Sequence, residues 1–198
     1  MNSTYICGLD EAGRGPLAGP VSAAAVILPP DFPLEILNDS KKLSEKKREA
    51  AEAIIKEKAL WALAFVSHEE IDKINILQAS LKAMKVAYEM LLVKKDAWCT
   101  CNHLPLIKEE EILAVADGIY TPDISCPVRA QVKADADIPA VMAASIIAKV
   151  GRDRLMMEYD KLYPDYAYAK HKGYPTPLHK SLCKKLGPSP IQRLTFKY

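Results

Sequence analysis

The sequence predicts an α/β domain, and three observations carry that expectation. Five short runs of strand character, at residues 4–9, 20–28, 60–66, 112–116 and 128–132, are separated by segments with helical spacing of apolar residues. The stretch Gly8-Leu9-Asp10-Glu11-Ala12-Gly13-Arg14-Gly15-Pro16-Leu17-Ala18-Gly19-Pro20 concentrates four of the chain's eight glycines between the first two runs. Two later runs lead straight to a carboxylate, at Asp117 and at Asp135, where open α/β sheets present ligand groups.

Each element has its own signal. Tyr5, Ile6, Cys7 and Leu9 make a β-type run, and the tight glycine-rich connection to the run Val21 to Leu28 favours an antiparallel pair. Pro29, Pro30 and Pro33 end the second strand. Ser44 is placed as an N-cap for a helix whose face is marked by Arg48, Ala51, Ile54 and Ile55. After the third strand, His68-Glu69-Glu70-Ile71-Asp72 reads as a helix start, because it lacks the second histidine of a zinc-protease motif. Ile76, Leu81, Met84, Tyr88 and Leu91 give residues 76–92 a broad buried stripe. The pattern breaks between Asp96 and Glu111, which reads as an irregular excursion. From Pro139 the run Ala140 to Ala148 is apolar nearly all round and rich in small residues, which predicts a buried helix lying close on the sheet. A polar helix from Arg152 to Leu162, an aromatic and basic loop, and a short helix from Pro177 to Leu186 complete the chain.

Composition narrows the function. The net charge of +2 hides an asymmetry: residues 129–198 carry 13 Lys+Arg against 6 Asp+Glu, leaving a net −5 on residues 1–128. That is the pattern of a polyanion-binding face supplied by the C-terminal part. No apolar run approaches the roughly 20 residues of a membrane span, so no membrane partner is expected. The N-terminus has neither the basic nor the apolar segment of a secretory signal, so the cytoplasm is expected. Five irregularly spaced cysteines fit reduced thiols. Cys99-Thr100-Cys101-Asn102-His103 is better read as a loop or edge strand than as a zinc site, which needs a fourth ligand and wider spacing.

The chemistry lies in the acids. Asp10, Glu11, Asp117 and Asp135 stand at sheet ends that can all face one way, and four carboxylates together repel one another unless a cation neutralises them. Hard oxygen ligands select Mg²⁺ or Mn²⁺. Two such ions roughly 4 Å apart activate water and stabilise the leaving oxygen in phosphodiester cleavage. Neighbours in a strand point to opposite faces, so Glu11 joins Asp10 only if the chain bends there or if it acts partly through its backbone.

Six ordered motifs resemble those of ribonuclease HII. They are the Gly8 to Pro20 stretch, Asp39-Ser40-Lys41-Lys42-Leu43-Ser44, Ala116-Asp117-Gly118, Lys133-Ala134-Asp135, Ala143 to Val150 with Arg152-Asp153-Arg154, and His171-Lys172-Gly173-Tyr174-Pro175-Thr176. The resemblance implies a ribonuclease H-like fold, a five-stranded mixed sheet flanked by helices, with a small C-terminal helical extension. On it, residues 1–162 form the catalytic domain and 163–198 an extension completing the substrate groove. It further implies a monomeric, metal-dependent endonuclease acting on RNA–DNA hybrids and on single ribonucleotides in duplex DNA, leaving a 3′-hydroxyl and a 5′-phosphate. Asp10, Glu11, Asp117 and Asp135 would hold the metal, Gly13-Arg14-Gly15 would read the ribose 2′-hydroxyl, Tyr174 would stack on the next sugar, and Lys41 and Lys172 would hold phosphates. The chain departs from the family at Ala116-Asp117-Gly118-Ile119, commonly Val-Asp-Gly-Asn, at Lys133-Ala134-Asp135, usually Lys-Gly-Asp, and in extra length placed in residues 96–111.

Overall fold

A computed structural model describes residues 5–37 and 43–197. Strands β1 (Tyr5–Ala12), β2 (Val21–Ile27), β3 (Leu60–Val66), β4 (Ile112–Asp117) and β5 (Val128–Gln131) form one sheet in the order β3-β2-β1-β4-β5. The β1–β2 pair is antiparallel, as its short glycine-rich connection dictates, and β2–β3 is antiparallel as well although its connection carries helix α1 (Glu45–Lys58), whereas β1–β4 and β4–β5 are parallel, so the sheet is mixed. Strand β1 runs beyond its apolar residues because Asp10, Glu11 and Ala12 continue the ladder opposite Ala24, Ala23 and Ser22.

Helix α2 (His68–Cys101) covers one face, and α1 (Glu45–Lys58) with α4 (Pro139–Leu162) covers the other. Cys7, Leu9, Ala23 and Ala25 meet α2 through Ala83, Ala87, Tyr88 and Leu91. Ala24 and Val26 meet Ala143, Ala144 and Ile147 of α4. Small residues on both sides let α4 lie almost on the backbone: a Cβ added at Gly8 would stand 2.1 Å from the Ala140 carbonyl carbon. The buried Ser22 hydroxyl donates to the Ala148 carbonyl at 3.0 Å, and Arg154 clasps Glu52 through both guanidinium nitrogens at 3.0 and 2.7 Å, tying α4 to β2 and to α1.

Capping explains where the helices begin. The Ser44 hydroxyl accepts from the Lys47 amide, as its position predicts, and Ser67 accepts from the Glu70 amide. Inside α2 the backbone breaks at Asn75 (φ 67°), whose side-chain oxygen accepts from the amides of Leu77 and Gln78 and so starts the second helical segment. Two expectations are corrected. Residues 96–101 are helical: Cys99 is buried, Trp98 packs on the core and its Nε1 donates to the Lys58 carbonyl at 3.1 Å, while Lys94 and Asp96 face outward and Lys95 turns its ammonium to the Ile107 carbonyl. Cys99 and Cys101 therefore sit on different sides of a helix, one buried and one exposed. The two helices expected between 139 and 162 are one, running through Gly151, where an added Cβ would strike the Leu63 side chain at 2.4 Å.

Helices α3 (Ala134–Asp137), α5 (Tyr168–His171) and α6 (Pro177–Leu186) complete the structure. None of the described helices is long and apolar enough to cross a membrane. His171 and His179 are buried with their rings stacked at 4.3 Å. His171 accepts from the Gly173 amide at Nδ1 and donates through Nε2 to the Tyr166 carbonyl, so its neutral form is built into the turn.

Gly8→Ala is expected to cost about 3 kcal/mol or more, because backbone rather than a flexible side chain stands in the way; urea unfolding measures it. Burial, reinforced by the neighbouring His179, pushes the His171 pKa down to about 4. The unfolded chain then binds more protons between about pH 6.5 and 4, so this contribution is complete above that window and is lost as pH falls through it. The melting midpoint of the native chain should fall more steeply from pH 6.5 to 4.5 than that of His171→Gln, as followed by circular dichroism.

Candidate active site

Strand register assembles the acids. Parallel pairing sets Leu9 opposite Ala116, so Asp10 and Asp117, one step further along, emerge side by side on the face covered by α4. The third comes from a turn: Lys133 takes the left-handed conformation (φ 59°) and reverses the chain into α3, which carries Asp135. That turn is pinned to the sheet by the Ala134 amide, which donates to Asp117 Oδ1 at 2.7 Å. One carboxylate oxygen from each of Asp10, Asp117 and Asp135 lies within 4.8 Å of the others. Asp10 and Asp135 are buried and Asp117 is half-buried.

Burial raises the Asp10 pKa well above the usual carboxylate range, and the Glu11 charge pushes it further, against a hydrogen bond from Ser145 of α4. Such a cluster suits a hard divalent cation, which would supply the missing positive charge. Glu11 does not join it as a fourth equal member. The strand is continuous through Ala12, so no bend turns Glu11 inward; its carboxylate pairs with Arg14 at 3.2 Å, and its amide donates to Asp10 Oδ1 at 2.7 Å. Burial raises its pKa as well, with the Arg14 guanidinium working against the shift, and Asp117 adds repulsion.

Next to the acids, the glycine-rich loop is held from behind by two buried arginines. Arg152 of α4 donates to the carbonyls of Pro20, Ala18 and Lys172, and Arg193 donates to those of Gly19, Arg14 and Gly13, all at 2.7–3.2 Å. Backbone bonds from Leu17 to Gly173 and from Arg193 to Leu17 complete the clamp. Gly13 (φ 95°) leaves no room for a side chain, since an added Cβ would lie 2.0 Å from Arg152 Nε. Because a trans peptide sets C=O and N–H in opposite directions, carbonyls turned toward Arg193 turn the amides of Arg14 and Gly15 away from it.

That cleft, of about 250 Å³, is lined by Asp10, Glu11, Gly13, Arg14, Gly15, Asp117, Ser145, Lys149 and Tyr174. The Tyr174 ring stands beside Gly15 and under Lys149 Nζ at 5.6 Å. Lys172 is not brought to the cleft: its ammonium donates to the Ala169 carbonyl, and its own carbonyl is the one Arg152 holds. Lys41 lies outside the described residues. Ser145, Lys149 and Arg193 were not singled out from the sequence. The first two lie in the motif from Ala143 to Val150, one helical turn apart on α4; Arg193 has no local signal, since its partners are 174 to 180 positions away.

The sheet order, flanking helices and clustered acids define a ribonuclease H-like nuclease domain, and the solved ribonuclease H2 of Pyrococcus horikoshii OT3 superposes with a TM-score of 0.70, at 26% identity over 98% of this chain and 94% of that one. The family is narrower still. The Ribonuclease HII family model matches residues 7–198, and this chain is 51% identical to the ribonuclease HII of Treponema denticola (96% of this chain, 97% of the relative) and 53% identical to that of Idiomarina loihiensis (96% and 94%). The chain belongs to the ribonuclease HII family and is an endoribonuclease.

Arg193→Met leaves three inward carbonyls without a donor and should cost at least about 3 kcal/mol. Urea unfolding reads the loss, and Arg193→Lys, which keeps the charge but not the fork, should fall between the two.

Proposed function

We propose that this chain hydrolyses RNA in RNA–DNA hybrids and nicks duplex DNA on the 5′ side of a single embedded ribonucleotide, leaving a 3′-hydroxyl and a 5′-phosphate. The observation that carries this reading is the juxtaposition of three carboxylates with a clamped glycine-rich loop that lines the same cleft. Only the 2′-hydroxyl distinguishes a ribonucleotide from its neighbours in DNA, and it both donates and accepts a hydrogen bond. The amides of Arg14 and Gly15 are donors of fixed direction at the place where that hydroxyl would lie, and Gly13 and Gly15 let the sugar approach closely.

Asp10, Asp117 and Asp135, with Glu11 at their margin, would hold Mg²⁺ or Mn²⁺, which in a two-ion arrangement supplies an activated water and stabilises the departing 3′ oxygen. Ser145 orients Asp10, and the Ala134 amide orients Asp117, so that neither carboxylate rotates out of place. Tyr174 offers a flat face to the sugar of the deoxynucleotide that follows the ribonucleotide. Lys149 adds positive charge in the cleft, and Lys41 and Lys172 would meet phosphates further along the strand. Residues 163–198, which carry the clamp through Gly173 and Arg193, would complete the groove.

A labelled duplex with one ribonucleotide, incubated with Mg²⁺ or Mn²⁺, should be nicked once, on the 5′ side of that residue, and an all-DNA duplex should remain intact. Chelator should abolish the nick, and Asp10→Asn should slow it by more than the roughly 100-fold typical of losing a mere supporting contact around a metal. Cleavage of an all-DNA four-way junction in preference to this duplex, or cleavage that survives chelation, would contradict the assignment.

A further inference from the structure

Asp72 stands in the opening turns of α2, where an acid ordinarily serves the helix by facing its amide end. Here Ser67 already caps the helix, and both oxygens of the half-buried Asp72 are turned to the other end of the chain. Oδ2 accepts from the Leu194 amide at 2.8 Å, and Oδ1 accepts from the Thr195 amide at 3.1 Å and the Thr195 hydroxyl at 2.6 Å. Burial works to raise the Asp72 pKa, but these hydrogen bonds outweigh it and hold the carboxyl below its ordinary value. The residue just before this contact is Arg193. Up to that point the tail and the glycine-rich loop hold each other: the Gly19 amide donates to the Ile191 carbonyl at 2.9 Å, and the Arg193 amide donates to that of Leu17 at 2.8 Å. Arg152 of α4 fixes the loop at Ala18 and Pro20, whereas Gly13 and Arg14 are held by the Arg193 guanidinium. Past Arg193 the chain turns, with the Phe196 amide donating to the Arg193 carbonyl at 3.2 Å, and Asp72 receives that turn. Helix α2 packs in its turn on Cys7 and Leu9 of β1, the strand that carries Asp10.

We propose that Asp72 is a positioning residue for the Gly13-Arg14-Gly15 segment, acting through the turn at 193–196 and the Arg193 guanidinium, and that it sharpens the distinction between a ribonucleotide and a deoxynucleotide. The proposal rests on the function proposed above, in which that segment reads the 2′-hydroxyl. A hydrogen bond discriminates only while donor and acceptor keep their distance and angle, and a displacement on the order of 1 Å removes most of it. Contacts to phosphate, which supply most of the affinity for a duplex, are long-ranged and tolerate such a shift. Loss of the Asp72 anchor therefore lowers selectivity more than it lowers affinity.

The test is a competition assay on the Asp10→Asn chain with chelator present, so that duplex is bound and not cut. A labelled duplex is displaced by unlabelled duplexes that differ only in one ribonucleotide, and the ratio of the two Kd values does not depend on the folded fraction. With Asp72 intact the ribonucleotide should be preferred by about tenfold, the discrimination that one well-placed hydrogen bond gives. In Asp72→Asn the side-chain NH₂ confronts a backbone N–H, donor against donor, and the ratio should fall to about threefold or less while the Kd for all-DNA duplex moves by less than about twofold. Thr195→Val leaves both amide contacts in place, serves if Asp72→Asn does not fold, and should give an intermediate ratio. Arg193→Lys should lower the ratio by itself, and Asp72→Asn should lower it no further in that background, since both act on the same segment. Mere loss of stability leaves the ratio where it was. A ratio near one with Asp72 intact, an unchanged ratio in Asp72→Asn and Thr195→Val, or effects of Asp72→Asn and Arg193→Lys that multiply would overturn the proposal, and nicking by the chain with Asp10 in place would leave the proposed function standing. Absence of that nicking with Mg²⁺ or Mn²⁺ would overturn the parent reading and this proposal with it.

Discussion

Parallel pairing of β1 with β4 forces two negative charges together. Once Leu9 is opposite Ala116, Asp10 and Asp117 must be neighbours, and the turn at Lys133 adds Asp135 within 4.8 Å. At an effective dielectric of about 20, two full charges at such a separation repel by on the order of 3 kcal/mol. The nearby Glu11–Arg14 pair, half exposed on its Arg14 side, cannot offset that, since exposed ion pairs contribute at most about 1 kcal/mol. The cluster therefore stands only as far as the rest of the fold imposes it, and it stores an affinity for positive charge. Close packing is what imposes it. Gly8 and the alanines of β2 and α4 leave no slack through which β1 could slide or tilt to separate the acids.

The two buried guanidiniums show how the molecule keeps its own cations from spoiling that affinity. Arg152 and Arg193 are spent on the backbone: each of their six clamp hydrogen bonds ends on a carbonyl of the glycine-rich loop or of Lys172. Burial lowers both pKa values, but not enough to discharge either group near neutral pH. The positive charge consequently sits behind the loop, where it favours the approach of a phosphate strand without occupying the carboxylates. It also gives the loop its direction: carbonyls are drawn to the arginines and the amides between them point the other way. Charge placement and hydrogen-bond direction come from the same two side chains.

What could be read from the sequence follows from the range of each interaction. The strands, the caps at Ser44 and the fate of Asp10, Asp117 and Asp135 were legible because each is signalled within a few residues: apolar alternation, a hydroxyl before a helical stripe, an acid past a strand end. The end of α2 was hidden because three charged residues, Lys94, Lys95 and Asp96, break the apolar pattern just before Trp98 and Cys99, which remain anchored inside. The single α4 was hidden by Gly151, whose absence of a side chain serves contact with Leu63 rather than a break. Arg193 was invisible for the opposite reason. Its whole role is in contacts that span nearly the full chain, and no local pattern reports those.

The departures from the family pattern fall into two kinds for the same physical reason. Ala134, where glycine is usual, is harmless because the left-handed residue of the turn is Lys133, while Ala134 is helical and contributes only its amide to Asp117. Ala116 likewise faces the α2 core and leaves the register of Asp117 untouched. These positions work through the backbone, so their side chains can vary without moving a carboxylate. Ile119 differs: its side chain stands largely exposed at the recess beside α2, outside the packed core. Where backbone builds the site, the chain is free to change its residues; where a side chain stands outside the core, a change of residue changes the surface that the chain presents.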